Sequence, residues 1–286
     1  MENFRMHAVC CTSGGYKNVF AQGVLKALSD NSMQAGAYAS CSSSALIAAY
    51  AAIGQIRKLD ISLWADGYDI SQKTGNQSQA MLSSIEKLSP DIKDNLWRPS
   101  SSRLLVSVSK VKTQTAMEIT QSEQAKRLGQ RLLIDALRHR ADWRDQHLEM
   151  KLFDTMQHLE TQMLTEQNLN EVLYATTRML HAWDIPAFID KEAYIDGSYT
   201  TSCLIFPLIR LGYKKIVYIN TEHDKIYLDL FTELQSLPQN EKVLIDIVKP
   251  DFNLAELGVD FYTIKGEGLQ QVFSYGYQKG IEYINR

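Results

Sequence analysis

Two short apolar runs near the N-terminus constrain this chain most: each ends in a tight turn of small residues, and each is followed by a segment of helical periodicity. Residues 6–11 (MHAVCC) read as a buried strand that turns at Ser13-Gly14-Gly15, after which Val19, Phe20, Val24, Leu25 and Leu28 recur at helical spacing. Residues 35–39 are again short and apolar. Residues 45–53 (ALIAAYAAI) are helical and almost uniformly apolar, as a helix buried on every side is. Strand–helix–strand–helix order belongs to a parallel sheet covered by helices, so an α/β fold with a mainly parallel central sheet is predicted.

The rest of the chain extends this pattern. Residues 57–102 are polar and mixed, with Trp64 and Trp97 as expected anchors, and 103–112 (RLLVSVSKVK) alternate as a strand does. Residues 121–167 are charged, amphipathic and free of proline, and read as helix with a solvated face. A helix is expected over 169–180, and Ala193-Tyr194-Ile195 leads into Asp196-Gly197. Two more strands are expected at 214–220 and 242–248, and a last helix at 268–284. With only six prolines and no Gly/Ser-rich or Pro-rich linker, the chain reads as one domain over residues 1–286 with a helical insertion at about 121–167.

Composition excludes several classes. A net charge of −3 gives no electrostatic reason to expect nucleic acid. No apolar run approaches the roughly 20 residues that span a bilayer, and the start lacks a basic segment followed by an apolar one, so no cleaved signal peptide is expected. Cys10, Cys11, Cys41 and Cys203 lack the close paired spacing of a zinc site and read as reduced thiols, three of them buried. The expected location is therefore cytoplasmic, or outside the cell by a route needing no cleaved signal, with no metal.

Three short motifs stand at expected strand ends, where ligands collect in open α/β sheets. In the first, Ser13-Gly14-Gly15-Tyr16-Lys17-Asn18, glycines let backbone N–H groups turn toward an anion at a helix start. A Gly-Gly turn is more often structural than functional, and the GxGxxG and GxxxxGK[ST] spacings of nucleotide sites are missing. The second is Ser40-Cys41-Ser42-Ser43-Ser44. A nucleophile elbow needs a serine flanked, two positions away on each side, by small residues. Ser42 has Ser40 and Ser44 there, although a serine-rich helix start also reads as a cap. The third, Asp196-Gly197, is a turn or a carboxylate able to take a serine proton.

Together these motifs resemble the patatin-like phospholipases, a family of Ser-Asp dyad lipid acyl hydrolases. The resemblance runs through Gly23-Val24-Leu25-Lys26-Ala27-Leu28, through Ala45-Leu46-Ile47-Ala48-Ala49 after the elbow, and through Asp196-Gly197 with the segment 207–217 behind it. Gly276-Tyr277 in the last helix also resembles a family habit, whereas 57–167 match only loosely. The resemblance implies a three-layer α/β/α fold, Ser42 as nucleophile, Asp196 as its base, and Gly14, Gly15, Tyr16 and Lys17 as the oxyanion loop. Ser40, Cys41, Ser43 and Ser44 would complete the elbow. Ser13 and Asn18 replace the outer glycines of the family's loop, Ser40 and Ser44 those of its elbow, and Lys17 brings charge without the fork geometry of arginine.

The implied activity is hydrolysis of fatty-acyl esters in membrane phospholipid or lysophospholipid, without a cofactor, with peripheral membrane contact and room for an activating protein partner. Region 121–167 would then serve as a lid or partner-binding insertion. The alternatives are a degenerate fold that binds lipid or protein without turnover, and acyl transfer to an acceptor other than water. Ser43 is the rival nucleophile if the register slips by one. None of His7, His139, His147, His158, His181 and His223 lies in a pattern tied to the serine or aspartate motifs, and His181, nearest to Asp196, is the one able to complete a conventional triad.

Overall fold

The computed structural model describes residues 4–238 and 242–286. Its N-terminal third has the predicted order. Strand β1 (Ala8–Cys11) leads through a short 3₁₀ turn into helix α1 (Asn18–Asp30), and β2 (Ala37–Cys41) leads into α2 (Ser44–Ala52). Helices α3 (Ser62–Thr74) and α4 (Gln77–Leu96) then precede β3 (Arg103–Val111). After α5 (Gln114–Thr120), α6 (Ala125–Leu137) and α7 (Asp142–His147) come β4 (Leu148–Asp154), β5 (Gln162–Met163) and α8 (Leu169–Ala175). The chain closes through β6 (Phe188–Ile189), β7 (Glu192–Ile195), α9 (Ile205–Arg210), β8 (Lys215–Ile219), β9 (Tyr227–Asp229), β10 (Thr232–Glu233), β11 (Leu244–Val248) and α10 (Gly268–Ile284).

Nine strands form one sheet in the order β11-β8-β1-β2-β3-β4-β5, with β7 joined to β3 and β6 to β7. Neighbours from β11 to β3 run parallel; β4 and β7 pair with β3 antiparallel. The fold is therefore mixed α/β with a mainly parallel centre. Alternation along β1 sends Val9 and Cys11 to one face and Ala8 and Cys10 to the other. The first face packs against α1, α2, α4, α8 and α10, and the second against Ile205 and Leu208 of α9. All four cysteines are free and buried. No helix among the described residues is long and apolar enough to cross a membrane.

Two expectations need correction. Only the first half of 121–167 is helical, because 148–154 form β4, paired over its whole length with β3. Leu, Glu, Met and Lys are strong helix formers, but Leu148, Met150 and Leu152 alternate with Glu149 and Lys151, and pairing with a central strand overrides propensity. Asp154, fully buried, receives Arg103 Nε at 2.9 Å and Arg103 Nη2 at 2.5 Å, which pins that register. Trp64 is buried as expected, whereas Trp97 lies on the surface at 36% exposure. The polar stretch around both tryptophans folds into the amphipathic helices α3 and α4, whose inner faces bury Leu63, Ile85, Leu88 and Ile92.

The outermost helices meet almost backbone to backbone. A Cβ on Gly276 of α10 would collide with the Phe20 carbonyl of α1, and one on Gly23 of α1 with the Phe273 carbonyl. Both sites are backbone against backbone, so no side chain can swing away. Gly276→Ala is expected to lower stability by at least the ~1–3 kcal/mol typical of overpacking. A urea midpoint equal to that of the unmodified protein would show that α1 and α10 can separate without loss.

Candidate active site

Ser42 sits where β2 ends and α2 is about to begin. Its φ of +59° lies in the left-handed region, which a residue with a Cβ enters at a cost of about 1–3 kcal/mol. Two contacts hold it there. The Ser42 N–H donates to Thr176 Oγ1 at 2.9 Å, and Thr176 Oγ1 donates onward to the Ser107 carbonyl of β3 at 2.7 Å. Ser42 Oγ donates to Asp196 Oδ2 at 2.7 Å. Ser42 is 4% exposed and Asp196 is fully buried.

The serines around Ser42 fit because each hydroxyl finds a partner. Ser40 Oγ donates to the Leu105 carbonyl at 3.3 Å. Ser44 Oγ accepts from the Cys41 N–H at 3.1 Å, and the Cys41 carbonyl lies 2.8 Å from the same hydroxyl. Ser43 Oγ donates to the Gly15 carbonyl at 3.0 Å and accepts from Asn18 Nδ2 at 2.8 Å, tying the elbow to the glycine loop. Ser43 thus faces the loop and Ser42 faces Asp196. Cys41 is buried in apolar surroundings that push its thiol well above the usual range, so it is no competing nucleophile.

Asp196 is held from both ends. Its Oδ1 accepts from the Ser198 N–H at 2.8 Å, its own N–H donates to the Arg178 carbonyl at 3.0 Å, and its carbonyl accepts from Ser109 Oγ at 2.7 Å. No cation among the described residues pairs with its carboxylate. Burial therefore dominates and raises its pKa from 3.8 to about 6, against the lowering effect of hydrogen bonds from Ser198 and Ser42.

The glycine loop presents fewer amides than expected. Gly15 takes φ +56°, and the Phe261 carbonyl lies so close that only glycine fits. That carbonyl accepts the Tyr16 N–H at 3.2 Å, and the Gly14 carbonyl accepts the Lys17 N–H at 3.1 Å. Tyr16 and Lys17 are thereby corrected: their amides close the turn and are not free for a substrate. The Lys17 ammonium pairs with Glu222. The N–H groups of Gly14, Gly15 and Ser43 find no acceptor among the described residues. They belong to the two turns that Ser43 links.

Ser42 opens on a narrow apolar cavity of about 80 Å³ walled by Leu46, Leu63, Trp64, Met81, Trp183 and Phe261. A larger cavity of about 560 Å³ with a mixed lining, including Leu133, Phe231, Asn220 and Glu222, shares Phe261 with it and reaches Gly14 and Ser198. None of the six histidines hydrogen-bonds to Ser42 or Asp196 among the described residues. His181 Nε2 instead meets the Tyr262 hydroxyl, and burial lowers its pKa to about 4. Among the described residues no group of His, Cys, Asp and Glu has the arrangement of a metal site. Sequence reasoning gave no role to Thr176, Ser198 and Phe261. Thr176 and Phe261 act through contacts far along the chain, which no local pattern marks; Ser198, two residues after Asp196, holds its carboxylate through a local turn that the Asp-Gly-Ser stretch could have signalled.

No family model and no curated protein matches the chain. Among solved structures, VipD from Legionella pneumophila is similar at 10% identity and a TM-score of 0.43, over 98% of this chain and 66% of that one. The chain therefore spans slightly less than two thirds of the VipD chain.

Two outcomes follow from this geometry. Thr176→Val leaves the Ser42 N–H unpaired in the interior and is expected to cost about 1–3 kcal/mol in urea unfolding, with Thr176→Ser restoring most of it. For Asp196, the unfolded carboxyl ionises at 3.8 and the folded one at about 6. The folded state thus holds the proton more tightly; this stabilisation is complete below pH about 4 and is lost as pH rises through 6, a swing of about 3 kcal/mol. Asp196→Asn should therefore gain on the unmodified protein as pH rises from 4 to 8. Unfolding curves whose difference does not change across that range would contradict the assignment.

Proposed function

We propose that this chain is a serine esterase that cleaves fatty-acyl esters of lipids through Ser42 and Asp196. The observation that carries the reading is the 2.7 Å hydrogen bond from Ser42 Oγ to a buried, unpaired carboxylate, with Ser42 in a left-handed turn at a strand-to-helix junction. Asp196 takes the Ser42 proton as Oγ attacks the ester carbonyl. A pKa near 6 makes it a better base than an ordinary carboxylate while leaving it ionised at neutral pH.

The developing oxyanion would sit against the N–H groups of Gly14, Gly15 and Ser43, each well-aimed donor being worth about 3–4 kcal/mol. The protonated Asp196 then gives its proton to the departing alcohol, leaving an acyl group on Ser42. Water, deprotonated by Asp196, attacks that ester, and as the acyl–Oγ bond breaks Asp196 returns the proton to Ser42 Oγ and the fatty acid leaves. The apolar cavity supports an acyl chain as the group held beside Ser42, and the larger cavity of mixed lining that shares Phe261 with it supports the alcohol portion of a lipid ester. The hydroxyl partners of Ser40 and Ser44 support a formed elbow despite the absent glycines.

Fatty-acid release from phosphatidylcholine, lysophosphatidylcholine and p-nitrophenyl esters tests the proposal. Ser42→Ala should lose roughly 10⁴-fold or more in kcat/KM, with a far smaller loss for Ser43→Ala. In the unmodified protein kcat/KM should rise with pH through about 6 as Asp196 ionises, then level off. The proposal fails if the unmodified protein releases no fatty acid from any of these esters, or if Ser42→Ala releases it equally well.

A further inference from the structure

Helix α6 carries an outward face that the proposed chemistry does not use. Its inner side buries Ala125, Leu128, Gly129 and Leu132. On the opposite side Arg127, Arg131, Ile134 and Arg138 follow one another at three- and four-residue steps, which aligns them in one stripe flanked by Lys126 and Leu137. Ile134 is 50% exposed and Leu137 is 84% exposed. Among the described residues none of Lys126, Arg127, Arg131 and Arg138 has an ion-pair partner. Of the acidic groups of this stretch, Asp135 pairs with Arg140 at 2.6 Å and Glu123 lies just before the helix, without an ion pair to any of the four.

Four unpaired cations around two exposed aliphatic side chains stand on a chain whose net charge is −3. A lone basic stripe would suit any polyanion. The two aliphatic side chains at its end suit a surface with a charged outer layer and an apolar interior. Position points the same way, because Leu133, Ala136 and Leu137 form one wall of the cavity that reaches Gly14 and Ser198.

We propose that α6 docks this protein on anionic lipid bilayers, with its cations on the headgroups and Ile134 and Leu137 among the acyl chains. The inference deepens the lipid-ester reading by naming the surface on which the substrate is met, and binding alone can test it.

The full chain carrying Ser42→Ala is incubated with sedimentable vesicles of phosphatidylcholine, with or without 30 mol% (~) phosphatidylserine, so that binding is read without turnover. Binding is expected to the anionic vesicles and not to the neutral ones, and to weaken with salt. Arg127→Gln/Arg131→Gln should lower the partition coefficient about fivefold per charge removed, and Leu137→Ser should lower it further. Equal binding to both vesicle types, no effect of the arginine changes, or binding to heparin without binding to vesicles would overturn the proposal. Hydrolysis of a soluble p-nitrophenyl ester by the double arginine variant on the Ser42 background separates the two readings: activity equal to the unmodified protein is expected, its selective loss counts against a docking role, and its absence from both proteins sinks the esterase reading while the vesicle result stands.

Discussion

The hydrogen bond between Ser42 and Asp196 joins groups 154 residues apart in a buried site, and the surrounding structure is arranged to hold both ends. One end is a backbone turn that a serine does not adopt on its own, kept in place by Thr176 and, through it, by β3. The other is a carboxylate fixed by Ser198, by the backbone of Arg178 and by Ser109. Central strand β3 therefore supports both partners. The glycine loop joins the same unit through Ser43 and Asn18.

Two buried aspartates show how environment sets role. Asp154 is held by a two-pronged contact from Arg103 at the end of the sheet away from Ser42, where it fixes strand register. Asp196 is equally buried and has the Ser42 hydroxyl and the Ser198 amide in place of a cation, so burial prevails and disfavours its ionised form. A guanidinium at that position would lower its pKa and with it its strength as a base. The buried Arg178 next to the site directs its guanidinium elsewhere, to the carbonyls of Ile185 and Thr120. A folded state that keeps a reactive carboxylate and a strained serine gives up stability at both, which large apolar layers on either face of the sheet can offset.

Local chemistry made part of this legible. Short apolar runs ending in small residues marked β1 and β2, and the unbroken apolar run after Ser44 marked a helix buried on all sides. Reading failed where pairing over distance decides. Residues 148–154 have the composition of a helix and become a strand because β3 lies beside them. Tyr16 and Lys17 look like members of an anion-binding loop, yet a carbonyl from 261 and a turn within the loop take their amides.

By itself the sequence determined the α/β class, the strand-to-helix junction at Ser42 and the position of Asp196 after an apolar run, because each depends on periodicity and on residues adjacent in the chain. The tertiary structure alone decided which serine of the cluster meets the aspartate, which loop amides stay free, and that no cation among the described residues pairs with the carboxylate. It also decided that the unpaired cations of α6 stand beside a cavity reaching the glycine loop. Each of these depends on which distant groups share a small volume, and hydrogen bonds and burial act over that distance irrespective of separation along the chain.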